Sequence, residues 1–570
     1  MVRQQNTTEY PVSGYMGTTA SFQRQVANEF SRALSRAQKA AAKDDPELAV
    51  GWCRYAASLA WGANPGFFYS HELEQLLAEI GREYLGTPSA QVPPVALPRR
   101  FLHVMSSAFE TGGSTPAISR WIDTCAQHAP SELHSILISM QNNAPVPACL
   151  CSAVRSTGGQ IIELPSGLSW LQMAAEMRSR SWEFDIIVLH IYPNDPLPNL
   201  AYFDRPRPVL FFRHSGHAFN LGLDVAQVYA ELDPVGCEMS AQFCAKEART
   251  VMLPLPLIDE GQTPCDKKDA RKKLGLPVDA LIALTVGWPY KFTPMAGYNF
   301  AEVVQSLCEA NSRVHIVAVG LSESKPFPGL GQSTGGRFLP VGVVEDRQIL
   351  GLYYRAADIY LDAYPCGSGT AVLDAALQGL PVQRLFNPDQ CILWCDYPAL
   401  DSVMRGATTQ DEFVAELLEW LEWPEKRRLE LGSRFRNAVL QDHCGASWKS
   451  KWLDPALDTL MLSGRDSIAS HPNYRREDYF GFPGLGKAWR EVDWPAGMFI
   501  AGAIHSTDHI PRPIRISGVF RAIKPAFFST SGDGMRRERL HMFGLLVASL
   551  MPNQIRNAMR WMWRAIFKNP

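Results

Sequence analysis

Two successive alternations of short apolar runs with amphipathic helices constrain this chain more than any other feature. The first series holds runs at 101–106, 133–140, 160–164, 184–191, 209–212 and 250–257. The clearest, Phe184–Ile191 (FDIIVLHI), is continuously apolar, as expected of a strand buried on both faces of a parallel sheet. A polar stretch from Asp259 to Lys268 interrupts the pattern, which resumes at 281–286, 314–319, 337–341, 358–361 and 381–385. Two such series predict two parallel-sheet α/β domains. Ligands of such sheets bind at the C-terminal strand ends, and two sets of ends can face each other across a cleft. With 570 residues, the chain is also longer than one hydrophobic core usually serves.

The flanks read differently. Phe22, Val26, Phe30 and Leu34 recur at helical spacing, Asp45-Pro46 is a helix start, and Glu72–Tyr84 reads as a third helix. The prolines at 93, 94 and 98 mark a linker. The expected organisation is a helical lobe at 1–95, a first Rossmann-like domain at 96–258, a second at 259–464 and a C-terminal extension at 465–570.

Charge is balanced overall, 55 Lys/Arg against 57 Asp/Glu, which gives no argument for nucleic-acid binding. Its distribution is uneven. The extension carries 16 basic and 8 acidic residues, on a body of net −10. Near its end, Arg556, Arg560, Arg564 and Lys568 recur every fourth residue opposite Ile555, Met559, Met562 and Ile566, with Trp561 and Trp563 beside them. Two readings stand: an interfacial helix at 552–570 in peripheral contact with an anionic lipid surface, or a helix docked on the protein with its basic face in water. The 12 cysteines include no Cys-x-x-Cys pair, and Cys149/Cys151 and Cys391/Cys395 lack matching ligands, so no metal site is expected. Free thiols in a reducing compartment are the better reading. The N-terminus has no basic then apolar leader, and the longest apolar run, near Phe543–Met551, is too short to span a bilayer. A cytoplasmic location follows as the expectation.

The chemistry concentrates in three segments. The first, at 356–382 (AADIYLDAYPCGSGTAVLDAALQGLPV), is a strand, a turn of small residues and a helix beginning near Thr370. Bare backbone N–H groups and the helix dipole at such a terminus attract phosphate oxygens. Asp374, one turn in, can accept from ribose hydroxyls. The second, Thr285–Pro294 (TVGWPYKFTP), places Lys291 in a strand-to-helix loop where it can neutralise a diphosphate. The third, Val209–Gly222 (VLFFRHSGHAFNLG), ends a strand at His214 and His217. A histidine there can act as general base on a hydroxyl, or simply bond backbone and pack the interdomain face.

Asp362-x3-Cys366-x3-Thr370-x3-Asp374 with Gly379-x-Pro381-Val382 resembles the donor-site segment of GT-B glycosyltransferases, nearest to the O-linked N-acetylglucosamine transferase-like group. The third segment resembles Asn-His-Ala-Asp-His of a bacterial GT-B group, with Arg213 for Asn and Gly216 for Asp. Gly112-Gly113 and Arg120-Trp121-Ile122 match that group as well. The resemblance covers about residues 100–460. It implies two facing Rossmann-like domains and a nucleotide diphosphate-sugar donor, UDP by default. Pro365, Cys366, Gly367, Ser368, Gly369 and Thr370 would touch the pyrophosphate, Asp374 the ribose and Lys291 the leaving diphosphate. Gly112 and Gly113 would approach donor or acceptor, or form a plain turn. Retaining members carry two glutamates eight positions apart where this chain has Cys366 and Asp374, which favours inversion. No metal or other cofactor is implied. His217 and His214 are the candidate bases, with Asp195 and Glu110 behind them. The acceptor would be a glycan, a lipid-linked glycan or a protein. Two rivals share the fold: a nucleotide-sugar epimerase, and a non-catalytic nucleotide-sugar-binding protein.

Overall fold

The structure, a computed structural model, describes residues 16–463 except 64, 66, 87–96, 111–112, 217, 245–248, 262–264, 293, 295–297, 325, 365 and 386–396. The expected base His217, the turn residue Pro365, Gly112 and the whole 465–570 extension with its basic helix therefore lie outside the described residues. No helix among those described is long and apolar enough to cross a membrane.

The described residues up to Phe67 fall in one compact unit and those from Phe68 onward in another. In the first unit, the helices Met16–Ala41 and Pro46–Ala63 pack on each other as a hairpin. The second opens as its sequence predicts, with Asp45 accepting from the Leu48 amide at 3.1 Å. Arg36 lies over the Trp52 ring, 4.8 Å from its centroid.

Among the described residues, the second unit contains two sheets, both wholly parallel. In the first, β1 (Arg100–Met105), β2 (Leu133–Ile138), β3 (Ile161–Glu163), β4 (Ile186–His190), β5 (Val209–Arg213), β6 (Val228–Glu231) and β7 (Arg249–Met252) stand in the order 3-2-1-4-5-6-7. In the second, β8 (Leu281–Val286), β9 (Val314–Val319), β10 (Phe338–Gly342), β11 (Ile359–Leu361) and β12 (Val382–Gln383) stand in the order 10-9-8-11-12. Each sheet turns back at its first strand, β1 or β8, and both have central strands that are apolar and buried on both faces. This is the α/β architecture that the two alternations predict.

Three features depart from the sequence reading. The helix His71–Leu85, expected in the N-terminal lobe, packs on the helices Leu197–Ala201 and Trp170–Ser181 of the first sheet's layer. Its buried Glu74 accepts from Asn199 Nδ2 at 2.7 Å and from the amides of Leu223 and Asp224. Second, β6 was not expected as a strand. Third, the segment after His443, assigned by sequence to the second domain, returns to the first. The helix Asp454–Leu462 packs on β6 and β7, Trp448 Nε1 donates to Pro254 O at 2.7 Å, and His443 Nδ1 donates to Leu255 O at 2.8 Å. Trp448, fully buried, meets Trp121 edge to face at 5.8 Å. Burying one such ring is worth about 2–3 kcal/mol, so the return tethers the two sheets.

Candidate active site

The C-terminal strand ends of both sheets open onto one cavity of about 1060 Å³. Gly113, Arg120 and His214 line it from the first sheet's side, and Lys291, Thr370 and Asp374 from the second's.

The second-sheet wall is built around Asp362, just past β11. Its buried carboxylate accepts from the Ala363 amide at 2.8 Å, from the Ser368 amide at 3.1 Å and from the Ser368 hydroxyl. Burial pushes this carboxyl up to about 6, against the Ser368 bonds that favour the charged form. Ser368 Oγ in turn accepts from the Val372 amide at 3.2 Å, tying the turn to the first turn of the helix Thr370–Leu377. Gly369, before that helix, offers no side-chain cap, and Ser368 takes only the Val372 amide, so the amides of Thr370 and Ala371 remain for a ligand. Lys291, on a 3-10 turn after β8, donates from Nζ to Gly367 O at 2.7 Å, and its own carbonyl accepts from the Cys366 amide at 3.1 Å. The two predicted donor segments are thus one hydrogen-bonded unit. The Cys366 thiol is buried and pushed up by that burial.

Asp374 is placed in the cleft as expected, and an arginine is already there. Arg120 on the helix Ser114–His128 donates Nη2 to Asp374 Oδ1 at 3.0 Å and Oδ2 at 3.3 Å, joining the two sides. Gly113 comes close to the same helix terminus, since a methyl group on it would sit 3.2 Å from Thr370 Oγ1.

On the first-sheet wall, His214 follows β5 at the cavity edge. Burial lowers its imidazole to about 4, so the ring is neutral at pH 7. Its Nε2 lies 3.2 Å from His190 Nδ1. Arg213, one residue earlier, is buried with Glu231, its cross-strand partner, at 2.7 Å, and also bonds the Ser240 hydroxyl and Gly216 O. Asp195 is buried, accepting from Ser106 Oγ at 2.6 Å and the Leu197 amide at 3.0 Å, and does not line the cavity. Glu110 is exposed at its rim. Sequence reasoning missed Trp288, 42% exposed, and Glu345 and Arg347, which also line the cavity. An unsheltered tryptophan directly after a buried strand was the available signal.

No family model matches the chain. Over 210 residues it is 29% identical to a curated D-inositol 3-phosphate glycosyltransferase from Actinosynnema mirum, covering 32% of this chain and 49% of that protein. The chain thus spans about half the length of this relative. Among solved structures, it is similar to Anabaena HepE in complex with UDP and glucose, at 14% identity and a TM-score of 0.48 over 63% of this chain and all of that one. It is also similar to a Thermobaculum terrenum O-GlcNAc transferase mutant, at 15% identity and a TM-score of 0.46 over 79% of this chain and 88% of that one.

Proposed function

We propose that this chain is a GT-B glycosyltransferase that moves a sugar, with inversion, from a nucleotide diphosphate-sugar held by its second sheet to a hydroxyl presented by its first. The carrying observation is the bonded unit of Lys291 and the Cys366–Thr370 turn at a helix N-terminus inside a two-sided cleft. A leaving diphosphate gains charge as the glycosidic bond breaks. A cation and aligned backbone amides in a partly dry site stabilise that charge without a metal. The sequence match to a curated glycosyltransferase supports the reading.

In this reading Lys291 leaves Gly367 O for the phosphate oxygens, Thr370 and the first amides of its helix hold the pyrophosphate, and Asp374 exchanges Arg120 for the ribose. His214, neutral in its pocket, accepts the proton of the attacking hydroxyl. UDP is the expected nucleotide, and the acceptor is a glycan, a lipid-linked glycan or a protein.

Calorimetry with UDP, GDP, ADP and CMP tests the donor site. We expect tight binding of UDP, weakened at least tenfold (about 1.4 kcal/mol) by Lys291→Ala. A folded protein that binds none of the four nucleotides would remove the basis for a transferase.

A further inference from the structure

His214 is the open end of an unbroken line of four imidazoles. His214 Nε2 lies 3.2 Å from His190 Nδ1, His190 Nε2 lies 2.9 Å from His103 Nδ1, and His103 Nε2 lies 2.9 Å from His134 Nδ1. His214 directly follows β5, and His190, His103 and His134 lie on β4, β1 and β2; these strands are neighbours in that order, so the line crosses the sheet one strand at a time. His103 and His134 are fully buried and His190 is 4% exposed. At the far end, His134 Nε2 has no hydrogen-bond partner and points at Glu132 Oε2, 4.0 Å away and likewise unpartnered. Glu132 is itself buried, 8% exposed, with Arg99 at 3.5 Å.

We propose that these residues form a proton relay, in which His214 takes the proton of the attacking hydroxyl and His190, His103 and His134 carry the charge to Glu132. The inference rests on the reading of His214 as general base.

The polarity is uniform. Every contact joins Nε2 of one ring to Nδ1 of the next, so one tautomer, Nε2–H throughout, satisfies all three bonds and leaves His214 Nδ1 as an acceptor. When the acceptor O–H breaks, its proton binds His214 Nδ1. The Nε2 protons then shift one ring along, and His134 gives its own to the Glu132 carboxylate after a closure of about 1 Å or through one water. The oxygen's freed electron pair forms the new glycosidic bond as the bond to the diphosphate breaks. Once the diphosphate has left, Glu132 returns the proton along the same path to water in the open cleft, restoring the first tautomer.

Three observations say why a relay is needed and why it holds. Burial keeps all four rings neutral, which gives each one donor and one acceptor, and a His214 pushed down to about 4 is a poor resting place for a proton. Glu132 is raised by its burial, in spite of Arg99 and Lys449, so it is a better one. An apolar sheath excludes water that would intercept the proton. Trp121 meets His103 and His190 edge to face at 5.4 and 5.8 Å, Phe101 stacks on His134 at 4.5 Å, and Phe212 covers His190 and His214 at 5.6 and 4.9 Å. The charged groups that face the line are Glu132, Arg99, Lys449 and Asp454 at its far end, with the Cys125 thiol beside them. Behind His214 the Arg213–Glu231 pair is internally neutralised.

The test uses the full chain labelled with 15N in its histidines. Expected are N–N couplings across three hydrogen bonds, Nε2–H at every ring, and a change of tautomer balance at His190 in Glu132→Gln that His103→Gln abolishes. A His190 indifferent to Glu132→Gln overturns the relay, as does one equivalent of zinc per chain, since Cys125, Glu132 and His134 lie within 4.8 Å of one another and a metal there would occupy the same nitrogen. In UDP-glucose hydrolysis, with water as acceptor, His103→Gln should lower kcat at least tenfold and reduce the solvent isotope effect, with KM and UDP affinity within twofold. Unchanged kcat and isotope effect in His103→Gln, with His214→Ala inactive, would overturn the relay while leaving His214 as base. A fully active His214→Ala would instead overturn the base assignment and the relay's catalytic role with it.

Discussion

Arg120 reaches across the cleft to Asp374, its Nη2 3.0 Å from one carboxylate oxygen and 3.3 Å from the other. The two side chains are 16% and 26% exposed, so the pair bridges the cleft and is still reached by water. Its net worth is about 1 kcal/mol or less. A ribose that binds Asp374 must displace this arginine. Arg120→Ala is therefore expected to tighten UDP binding two- to fivefold. Asp374→Ala should weaken UDP at least tenfold and bind an analogue lacking the ribose hydroxyls as well as it binds UDP. Calorimetry on the two variants decides, and an Asp374→Ala protein that keeps wild-type affinity and discrimination would end the ribose assignment.

Gly216 lines the cavity beside a buried ion pair. A methyl group there would sit 2.4 Å from Glu231 Oε2, and Glu231 is held by Arg213 at 2.7 Å. The carboxylate cannot yield without uncoupling a fully buried guanidinium. Gly216→Ala should cost about 1–3 kcal/mol of stability. Glu231→Ala, which strands Arg213, should cost about 3–5 kcal/mol. Thermal unfolding of both variants checks the order, and a Gly216→Ala protein melting with the wild type would show that the loop has room the structure does not display.

The buried imidazoles make stability depend on pH in a defined direction. His103 is lowered to about 3 and His214 to about 4, against an ordinary value near 6.5. Between pH 6.5 and 4 the unfolded chain takes up protons that the folded chain refuses, so the fold loses stability as pH falls through that window. Asp362, raised to about 6, binds its proton in the fold over part of the same range and opposes the trend. Removing one histidine isolates its share. His103→Gln should flatten the slope of unfolding free energy against pH by up to about 1.4 kcal/mol per unit below pH 6. Denaturation at pH 4.5, 5.5 and 6.5 measures this, and parallel slopes would mean that His103 is protonated in the fold.

Much of this architecture is legible in the residues, and the losses have physical causes. The run Phe184–Ile191 contains β4, Ile186–His190, because a strand covered on both faces must be apolar throughout. The segment from Asp362 to Asp374 can be read as strand, turn and helix because its signals are local: small residues, a helix terminus, a carboxylate one turn in. β6 escapes because it is four residues long and ends in Glu231, whose burial depends on Arg213 of the neighbouring strand. The return of Trp448 to Pro254 is a contact between residues 194 positions apart, and no local pattern encodes it. The histidine line is hidden for the same reason. Each of β1, β2 and β4 shows one histidine in an apolar run, but only the strand order 2-1-4-5 sets those histidines side by side with His214.

Gly113 and Thr370 approach each other closely across the cleft. Gly113 has ordinary right-handed backbone angles, φ −86° and ψ −28°, so its conformation does not require glycine. Its neighbourhood does, because a methyl group would lie 3.2 Å from Thr370 Oγ1, tighter than ordinary van der Waals contact. Thr370 opens the helix assigned to the pyrophosphate. Gly113→Ala leaves only a few tenths of an ångström to absorb and should change UDP affinity less than threefold. Gly113→Val adds two further carbons against the same hydroxyl and should push the loop away from the helix. That would lower UDP affinity by about tenfold while thermal stability falls by less than about 1 kcal/mol, since both walls face open cavity rather than core. Paired calorimetry and melting curves separate these effects. Equal affinity in the two variants would place the pyrophosphate away from the Gly113–Thr370 contact, whereas a graded loss from alanine to valine would tie donor binding to the width of the cleft at this point.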